Sequence, residues 1–246
     1  MSTTIIITSG KGGVGKSTAA IFLAKELAGM GKNTLLIDSD TALGADEIIA
    51  GVGESVAFNW DDILCERCEK EQGLTEVCEN LSLIACPKYI PEEVPDDAFT
   101  RLAEMYGDDF DYILIDCPAG VDNDFRKAAA AAEKALIVAT ADGISVACAS
   151  ETAEQLIRLG FKETDLRLLV NRFVKKAAKR SRLLNIDGAI DKSGVRLIGI
   201  LPEDKRIPFM SVTGKGPDDS GRFMLAVARV AKRITGEDVP LAINKL

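Results

Sequence analysis

The chain has 246 residues and a formal net charge of −8 at pH 7, so the protein as a whole should repel nucleic acid and anionic membranes. It has no histidine, which excludes an imidazole base and every histidine-containing metal site. It also shows neither a basic leader segment nor an apolar run approaching the roughly 18 residues of a membrane span, so we expect a cytoplasmic protein.

Seven apolar segments alternate with segments of helical periodicity. The predicted strands are residues 3–9, 33–37, 81–85, 112–115, 135–139, 166–170 and 195–200. The predicted helices are residues 17–30, 96–106, 122–132, 145–159, 176–185 and 219–234. The strands are continuously apolar, which is typical of strands buried on both faces of a parallel sheet. We therefore predict an α/β fold, a doubly wound, mostly parallel sheet of about seven or eight strands flanked by helices, with residues 1–246 in a single domain.

A glycine-rich segment follows the first predicted strand and reads Gly10-Lys11-Gly12-Gly13-Val14-Gly15-Lys16-Ser17-Thr18. It fits the G-x-x-x-x-G-K-[ST] pattern of a phosphate-binding loop, in the strand–loop–helix context that this pattern requires. The glycines allow backbone N–H groups to turn toward an anion, and the following helix adds its positive end. We predict that the whole segment binds nucleotide, with Lys16 at the β- and γ-phosphates and Ser17 at Mg²⁺.

Acidic side chains follow two of the predicted strands. Asp116 comes after residues 112–115, an arrangement that holds Mg²⁺ directly or through water. Asp38 and Asp40 follow the second strand and should point in opposite directions on an extended chain, so we expect one to serve the metal and the other to serve water. An Asn-Lys-x-Asp stretch, which GTP specificity usually needs, is missing, so ATP is the predicted nucleotide, with Mg²⁺.

Lys11 is a second lysine at the entrance of the loop, five residues before Lys16. Without histidine, hydrolysis has to work by positioning and charge, and phosphoryl transfer suits that because its transition state needs mainly electrostatic stabilisation. We interpret Lys11 as an additional cation whose side chain crosses to the phosphates of a facing subunit.

These motifs resemble those of the MinD/ParA family of ATPases, over roughly residues 3–235. Residues 11–18 resemble its deviant Walker A motif, and Leu36-Ile37-Asp38-Ser39-Asp40 resembles its switch I. Ile115-Asp116-Cys117-Pro118-Ala119-Gly120 resembles switch II. Val170-Asn171-Arg172 and Leu201-Pro202-Glu203-Asp204 resemble its base-contacting loops.

The resemblance implies a role for each matching residue. Lys11 would contact the partner's nucleotide across an ATP-bound sandwich dimer, and Lys16 would act on the phosphates as a second catalytic lysine. Asp40 would orient the attacking water, and Asp116 would support Mg²⁺. With Asp40 assigned to water, the predicted metal ligands are Ser17, Asp38 and Asp116. Asn171 would read adenine, and the rest of the predicted base site is Arg172, Pro202 and Glu203.

The resemblance also implies a function. The chain would be a P-loop ATP hydrolase, acting as an ATP-gated homodimerisation switch in spatial regulation, in division-site or flagellar placement. An unidentified regulatory or activator protein would be its partner. Because residues 236–246 are too short and lack a basic amphipathic face, we do not expect membrane binding.

Other functions stay open. Cys65-x-x-Cys68, with Cys78 and Cys86 nearby, has spacing that a metal-insertion or metallocluster-assembly ATPase could use, although buried cysteines are common as small apolar residues. The basic segment 172–182 leaves a ParA-like DNA-partitioning ATPase as an alternative, although a solvated helix face explains it more simply. A P-loop ligase or synthetase is a further alternative.

Overall fold

The computed structural model describes residues 2–41, 44–89, 91, 94–179, 184–210, 217 and 219–241. Its strands in chain order are β1 (Thr3–Ser9), β2 (Thr34–Asp38), β3 (Thr75–Cys78), β4 (Leu81–Ile84), β5 (Tyr112–Ala119), β6 (Lys134–Thr140), β7 (Leu166–Phe173) and β8 (Leu197–Pro202). They form one sheet in the order β3-β4-β2-β5-β1-β6-β7-β8. Every neighbouring pair is parallel except β3 and β4.

The α-helices of the described residues connect these strands. They are α1 (Lys16–Gly29), α2 (Asp46–Ala50), α3 (Trp60–Leu64), α4 (Ala98–Tyr106), α5 (Asn123–Ala130), α6 (Gly143–Arg158), α7 (Lys175–Lys179), α8 (Ile186–Ser193) and α9 (Arg222–Ile234). Among the described residues, no helix combines the length and hydropathy needed to cross a membrane.

The sheet separates two apolar layers, because successive side chains of a strand point to opposite faces. In β1, Ile6 belongs to the layer shared with α3, α4, α5, α6 and α8, whereas Ile5 belongs to the layer shared with α1 and α9. Phe22 and Phe223 meet edge to face between α1 and α9 at 5.2 Å. Burial on both faces explains why the strand segments read as continuous apolar runs.

The predicted fold class is confirmed, including each of the seven predicted strands. The eighth strand, β3, was not predicted because it has four residues, buries one side chain, and pairs antiparallel at the sheet edge. Five strands extend past their predicted ends, and β5 and β7 do so by three or more residues. Asp116 therefore lies within β5, and Asn171 and Arg172 lie within β7, rather than after these strands.

One predicted helix is wrong in its bounds. The pattern predicts a helix over residues 176–185, but α7 covers Lys175–Lys179, residues 184 and 185 are not helical, and α8 begins at Ile186. Residues 180–183 lie outside the described part. Asn185 is the N-cap of α8, with its side-chain oxygen accepting the Gly188 N–H at 2.9 Å. A side chain that binds the backbone in this way begins a helix instead of continuing one. The short helices α2 and α3 were also missed.

The topology changes direction at β1, which lies between β5 and β6. In open α/β sheets, ligands bind beyond the carboxyl ends of the strands at such a point. Asp38 of β2 and Asp116 of β5 are register partners there, and the loop after β1 lies at the same edge. The sheet therefore assembles the residues of the candidate site.

Candidate functional site

The glycine-rich loop has a conformation that side chains other than glycine rarely adopt. Gly13 and Gly15 have φ values of 77° and 87°. Gly15 is also the N-cap of α1, which begins without a side-chain cap, so its first backbone N–H groups can serve an anion. A Cβ on Gly10 would lie 2.5 Å from the carbonyl oxygen of Cys148 in α6. The loop is therefore packed closely against its surroundings and shaped for phosphate.

The loop lysine and serine converge on the strand-end carboxylate. Lys16 Nζ lies 2.9 Å from Asp116 Oδ2 and 4.0 Å from Asp40 Oδ2, and the Ser17 hydroxyl donates to Asp116 Oδ2 at 2.6 Å. Burial acts to lower the pKa of Lys16, but the contact with Asp116 outweighs it and the pKa is raised. Lys16 is therefore a buried ammonium at neutral pH. The structure brings together the predicted Lys16, Ser17, Asp40 and Asp116, and their assigned roles stay predictions.

Three carboxylates lie buried in a group here, Asp38, Asp46 and Asp116. Burial, reinforced by the charge of Asp116, raises the pKa of Asp38 to about 7, and burial likewise raises the pKa of Asp46 and of Asp116. Asp116 Oδ1 is buried without a hydrogen-bond partner. An orphaned carboxylate oxygen beside other oxygen donors fits a hard cation such as Mg²⁺, so the predicted ligands Ser17, Asp38 and Asp116 are suited to it. Asp46 was missed, because no motif contains it.

Asn171 and Arg172 contact the loop itself. The Asn171 amide donates from Nδ2 to the carbonyl oxygens of Val14 at 2.9 Å and Gly15 at 3.3 Å. Arg172 donates to the Gly13 carbonyl at 3.2 Å and adopts a φ of 54°, in the left-handed region that favours glycine. In this structure the Asn171 side chain therefore braces the loop, and the adenine-reading role stays a prediction.

A cavity of about 640 Å³ opens at the carboxyl ends of β7 and β8. Pro202 and Glu203, both predicted to contact the base, line it together with Phe173. Arg172 lies at its edge, with a guanidinium nitrogen 3.7 Å from Glu203 Oε1. The structure therefore brings Arg172 and Glu203 together, and the base-contacting role of Arg172, Pro202 and Glu203 stays a prediction.

Lys11 pairs with a different carboxylate from Lys16. Its Nζ lies 3.3 Å from Asp142 Oδ1, and its side chain keeps 40% of its surface exposed. Asp142 is the N-cap of α6 and accepts the Ser145 N–H at 3.0 Å. Hydrogen bonds from Thr140 and Ser145, with Lys11 nearby, hold the pKa of Asp142 below its usual range although burial acts to raise it. The two loop lysines therefore have separate carboxylate partners.

The cysteines do not form a metal site. Cys65 and Cys78 are exposed, Cys68 is half-buried, and Cys86 is buried. Within the described ranges, the one group of three or more metal-ligating side chains consists of aspartates and includes no cysteine. The geometry thus gives no support to the metallocluster alternative. Of the basic segment 172–182, residues 180–182 lie outside the described part.

A family model described as the CobQ/CobB/MinD/ParA nucleotide binding domain matches residues 5–217. The chain is 32% identical over 248 residues to the septum site-determining protein MinD of Synechocystis sp., covering 98% of this chain and 92% of that protein.

Two solved structures are similar over nearly the whole chain. MinD in the MinC:MinD cell division protein complex of Aquifex aeolicus matches with a TM-score of 0.90 at 29% identity, covering 98% of both chains. The Pyrococcus horikoshii septum site-determining protein MinD, complexed with Mg-ADP, matches with a TM-score of 0.83 at 23% identity, covering 100% of this chain and 99% of that one. At that identity, the second likeness concerns the fold alone.

Proposed function

The chain belongs to the CobQ/CobB/MinD/ParA nucleotide-binding domain family, and we propose that it works in division-site placement as an ATP-gated, Mg²⁺-dependent dimerisation switch. The family and fold predicted from the sequence are confirmed, and so is a MinD-like ATPase as the general function. ATP and Mg²⁺ fit the loop and its carboxylates, and the Pyrococcus relative is a complex with Mg-ADP. Division-site placement is favoured over flagellar placement because the Synechocystis relative is a septum site-determining protein.

The proposal rests on the different environments of two lysines on one loop. Lys16 is buried against Asp116 and is committed to its own phosphate site, whereas Lys11 stands half-exposed at the loop entrance. A second cation at a phosphate site is useful only where it can reach transition-state charge. We assign Lys11 to the nucleotide of a facing subunit and Asp40 to the attacking water.

The surface beside Lys11 suits a partner. Ile144, in the first turn of the helix that Asp142 caps, is 68% exposed. ATP would bring two chains together through this surface, and hydrolysis would separate them. A regulatory protein would then bind the dimer, as MinC assembles with MinD in the Aquifex complex.

The proposal is tested by the dependence of ATP turnover on protein concentration. A site completed across a dimer gives a specific activity that rises with protein concentration until the dimer saturates. Lys16→Ala should abolish nucleotide binding, because it removes the ammonium that the phosphates need. Lys11→Ala should keep nucleotide binding and lose turnover. A specific activity independent of concentration, with normal turnover by Lys11→Ala, would contradict a site shared between subunits.

A further inference from the structure

Three aspartates from different elements meet at the carboxyl end of the sheet. Asp38 ends β2, Asp46 begins α2, and Asp116 lies in β5. Each offers a carboxylate oxygen within 4.8 Å of the other two. Their exposed fractions are 2%, 0% and 0%. Such a convergence of buried acids places negative charge where water cannot screen it.

Several oxygens in this group lack any partner. Both carboxylate oxygens of Asp46, and Oδ1 of Asp116, are buried and accept no hydrogen bond. Asp38 differs, because its two oxygens accept the backbone N–H groups of Asp40 at 3.0 Å and of Asp46 at 3.1 Å. A buried polar atom without a partner costs free energy, so in a native protein it usually marks a bound ion or water.

The surrounding charge does not balance the group. In the part of the chain that the structure describes, Lys16 is the one ion-pair partner of these three carboxylates, and it contacts Oδ2 of Asp116 together with the Ser17 hydroxyl. This ammonium also lies 4.0 Å from Asp40 Oδ2, so the three carboxylates keep at least two uncompensated negative charges when all of them are ionised. A single divalent cation would neutralise two such charges.

We propose that Asp38, Asp46 and Asp116 bind a divalent cation in the nucleotide-free protein. Three carboxylates are an all-oxygen donor set, which suits Mg²⁺, Mn²⁺ or Ca²⁺ and not the softer metals. Oxygens up to 4.8 Å apart can sit on opposite sides of one ion at about 2.4 Å each, within the span of Mg²⁺ and Ca²⁺ bond lengths. Asp116 turns Oδ2 to Lys16 and Ser17 and offers Oδ1 to this ion.

This cation would share Asp38 and Asp116 with the Mg²⁺ that accompanies ATP, and it differs because it needs no phosphate ligand and includes Asp46. It holds α2 against β2 and β5 before nucleotide arrives. Trp60, the single tryptophan of the chain, donates its indole N–H to the Asp38 carbonyl oxygen at 3.1 Å. Its fluorescence therefore reports directly on the end of β2.

The test uses Mn²⁺ and the full chain stripped of nucleotide. Electron paramagnetic resonance counts bound Mn²⁺, tryptophan emission follows the same titration, and thermal melting gives the effect on stability. We expect one Mn²⁺ per chain, a change in Trp60 emission over the same concentration range, and a melting temperature raised by Mn²⁺. Wild-type protein that binds no Mn²⁺ without nucleotide would overturn the proposal.

Variants separate this site from its neighbours. Asp46→Asn keeps the side-chain shape and removes one ligand, so Mn²⁺ affinity should fall by about 10–100-fold or more, as it does when metal sites lose even an outer-shell partner. Its melting temperature without metal should equal or exceed that of the wild type, because like-charge repulsion is relieved. Glu47→Gln is the matched control. Glu47 is also buried but pairs with Lys88 at 3.0 Å outside the group, and this variant should bind Mn²⁺ normally.

The same samples are titrated with ADP, which keeps the two proposals distinguishable. If the protein binds ADP normally but binds no Mn²⁺ in the absence of nucleotide, the cation site is contradicted and the ATPase proposal is not affected. Mn²⁺ binding without any nucleotide binding would support the cation site and contradict the ATPase proposal. Equal Mn²⁺ affinity in wild type and Asp46→Asn would show that Asp46 is not a ligand.

Discussion

Lys11 Nζ lies 3.3 Å from Asp142 Oδ1, within its own chain. The lysine assigned to a partner's nucleotide is thus held by the residue that caps α6. An ion pair this exposed contributes about 0.2–1 kcal/mol, so it restrains Lys11 without locking it. Dimer formation has to exchange Asp142 for phosphate at this lysine.

That exchange predicts opposite effects for two substitutions. Asp142→Asn keeps a good N-cap and removes the competing charge, so the ATP-dependent dimer should form about two- to fivefold more tightly, given that about 1.4 kcal/mol corresponds to tenfold. Lys11→Ala should prevent the dimer. Analytical ultracentrifugation with ATP and Mg²⁺ measures both. If Asp142→Asn weakens the dimer as Lys11→Ala does, Asp142 orients Lys11 and does not compete for it.

Gly15→Ala should destabilise the protein even without nucleotide. Gly15 has a φ of 87°, and a Cβ there would overlap the Asn171 side-chain amide. Backbone strain of this kind costs about 1–3 kcal/mol. Gly12→Ala is the matched control, since nothing lies within 4 Å of the added Cβ, and its stability should stay within about 0.5 kcal/mol. Urea unfolding of the two nucleotide-free variants gives the comparison, and equal stabilities would refute the steric argument.

Asn171→Asp should loosen the loop. It removes the amide donors to Val14 and Gly15 and sets a carboxylate against carbonyl oxygens, for which we expect a loss of about 1–3 kcal/mol. Asn185→Asp, at an exposed N-cap, should be nearly neutral because Asp caps as well as Asn. Chemical denaturation measures both. A neutral Asn171→Asp would mean that the amide does not brace the loop.

Asp61 gives a prediction away from the site. Its carboxylate is 9% exposed and binds Arg67 at 2.8 Å and the Tyr89 hydroxyl at 2.6 Å. Asp61→Asn should cost about 1–3 kcal/mol, whereas Asp109→Asn, at the exposed pair with Lys70, should cost less than about 1 kcal/mol.

The stability that Asp61 contributes should also depend on pH in one direction. Burial acts to raise the pKa of Asp61, but its bonds to Tyr89 and Arg67 outweigh this and lower it. As pH falls, Asp61 is therefore protonated in the unfolded chain before it is protonated in the folded protein. The stabilisation that Asp61 contributes is complete above its ordinary pKa of about 4, and it is lost as pH falls through the lowered pKa of the folded protein. The difference in unfolding free energy between wild type and Asp61→Asn should therefore be constant from pH 6 to about 5 and shrink in stronger acid. A difference that grows in acid would contradict this sign.

The sequence allows the phosphate loop and Asp116 to be predicted because their chemistry follows from local order. A strand, a glycine-rich turn and a helix are contiguous, and an apolar strand that reaches an aspartate is visible in a short window. The contacts of Lys11 with Asp142 and of Asn171 with Val14 join residues 131 and 157 positions apart. No local sequence pattern encodes these two contacts, so they could be identified only from the folded structure.

Asp46 and β3 were missed for a different reason. Asp46 begins a helix of five residues, too short to produce a periodic apolar pattern. β3 has four residues and only one buried side chain, Thr75, so its edge position leaves little trace in hydropathy. Each owes its placement to neighbouring elements: Asp46 to β2 and β5, and β3 to β4.

The central claim is that ATP gates a dimer through Lys11. It is tested most directly by the solution mass of Asp40→Ala, which should bind ATP without hydrolysing it, first with ADP and then with ATP and Mg²⁺. The account predicts a monomer with ADP, a dimer with ATP, and a monomer in both states once Lys11→Ala is added. A protein that stays monomeric with ATP, or a dimer that survives Lys11→Ala, would contradict it.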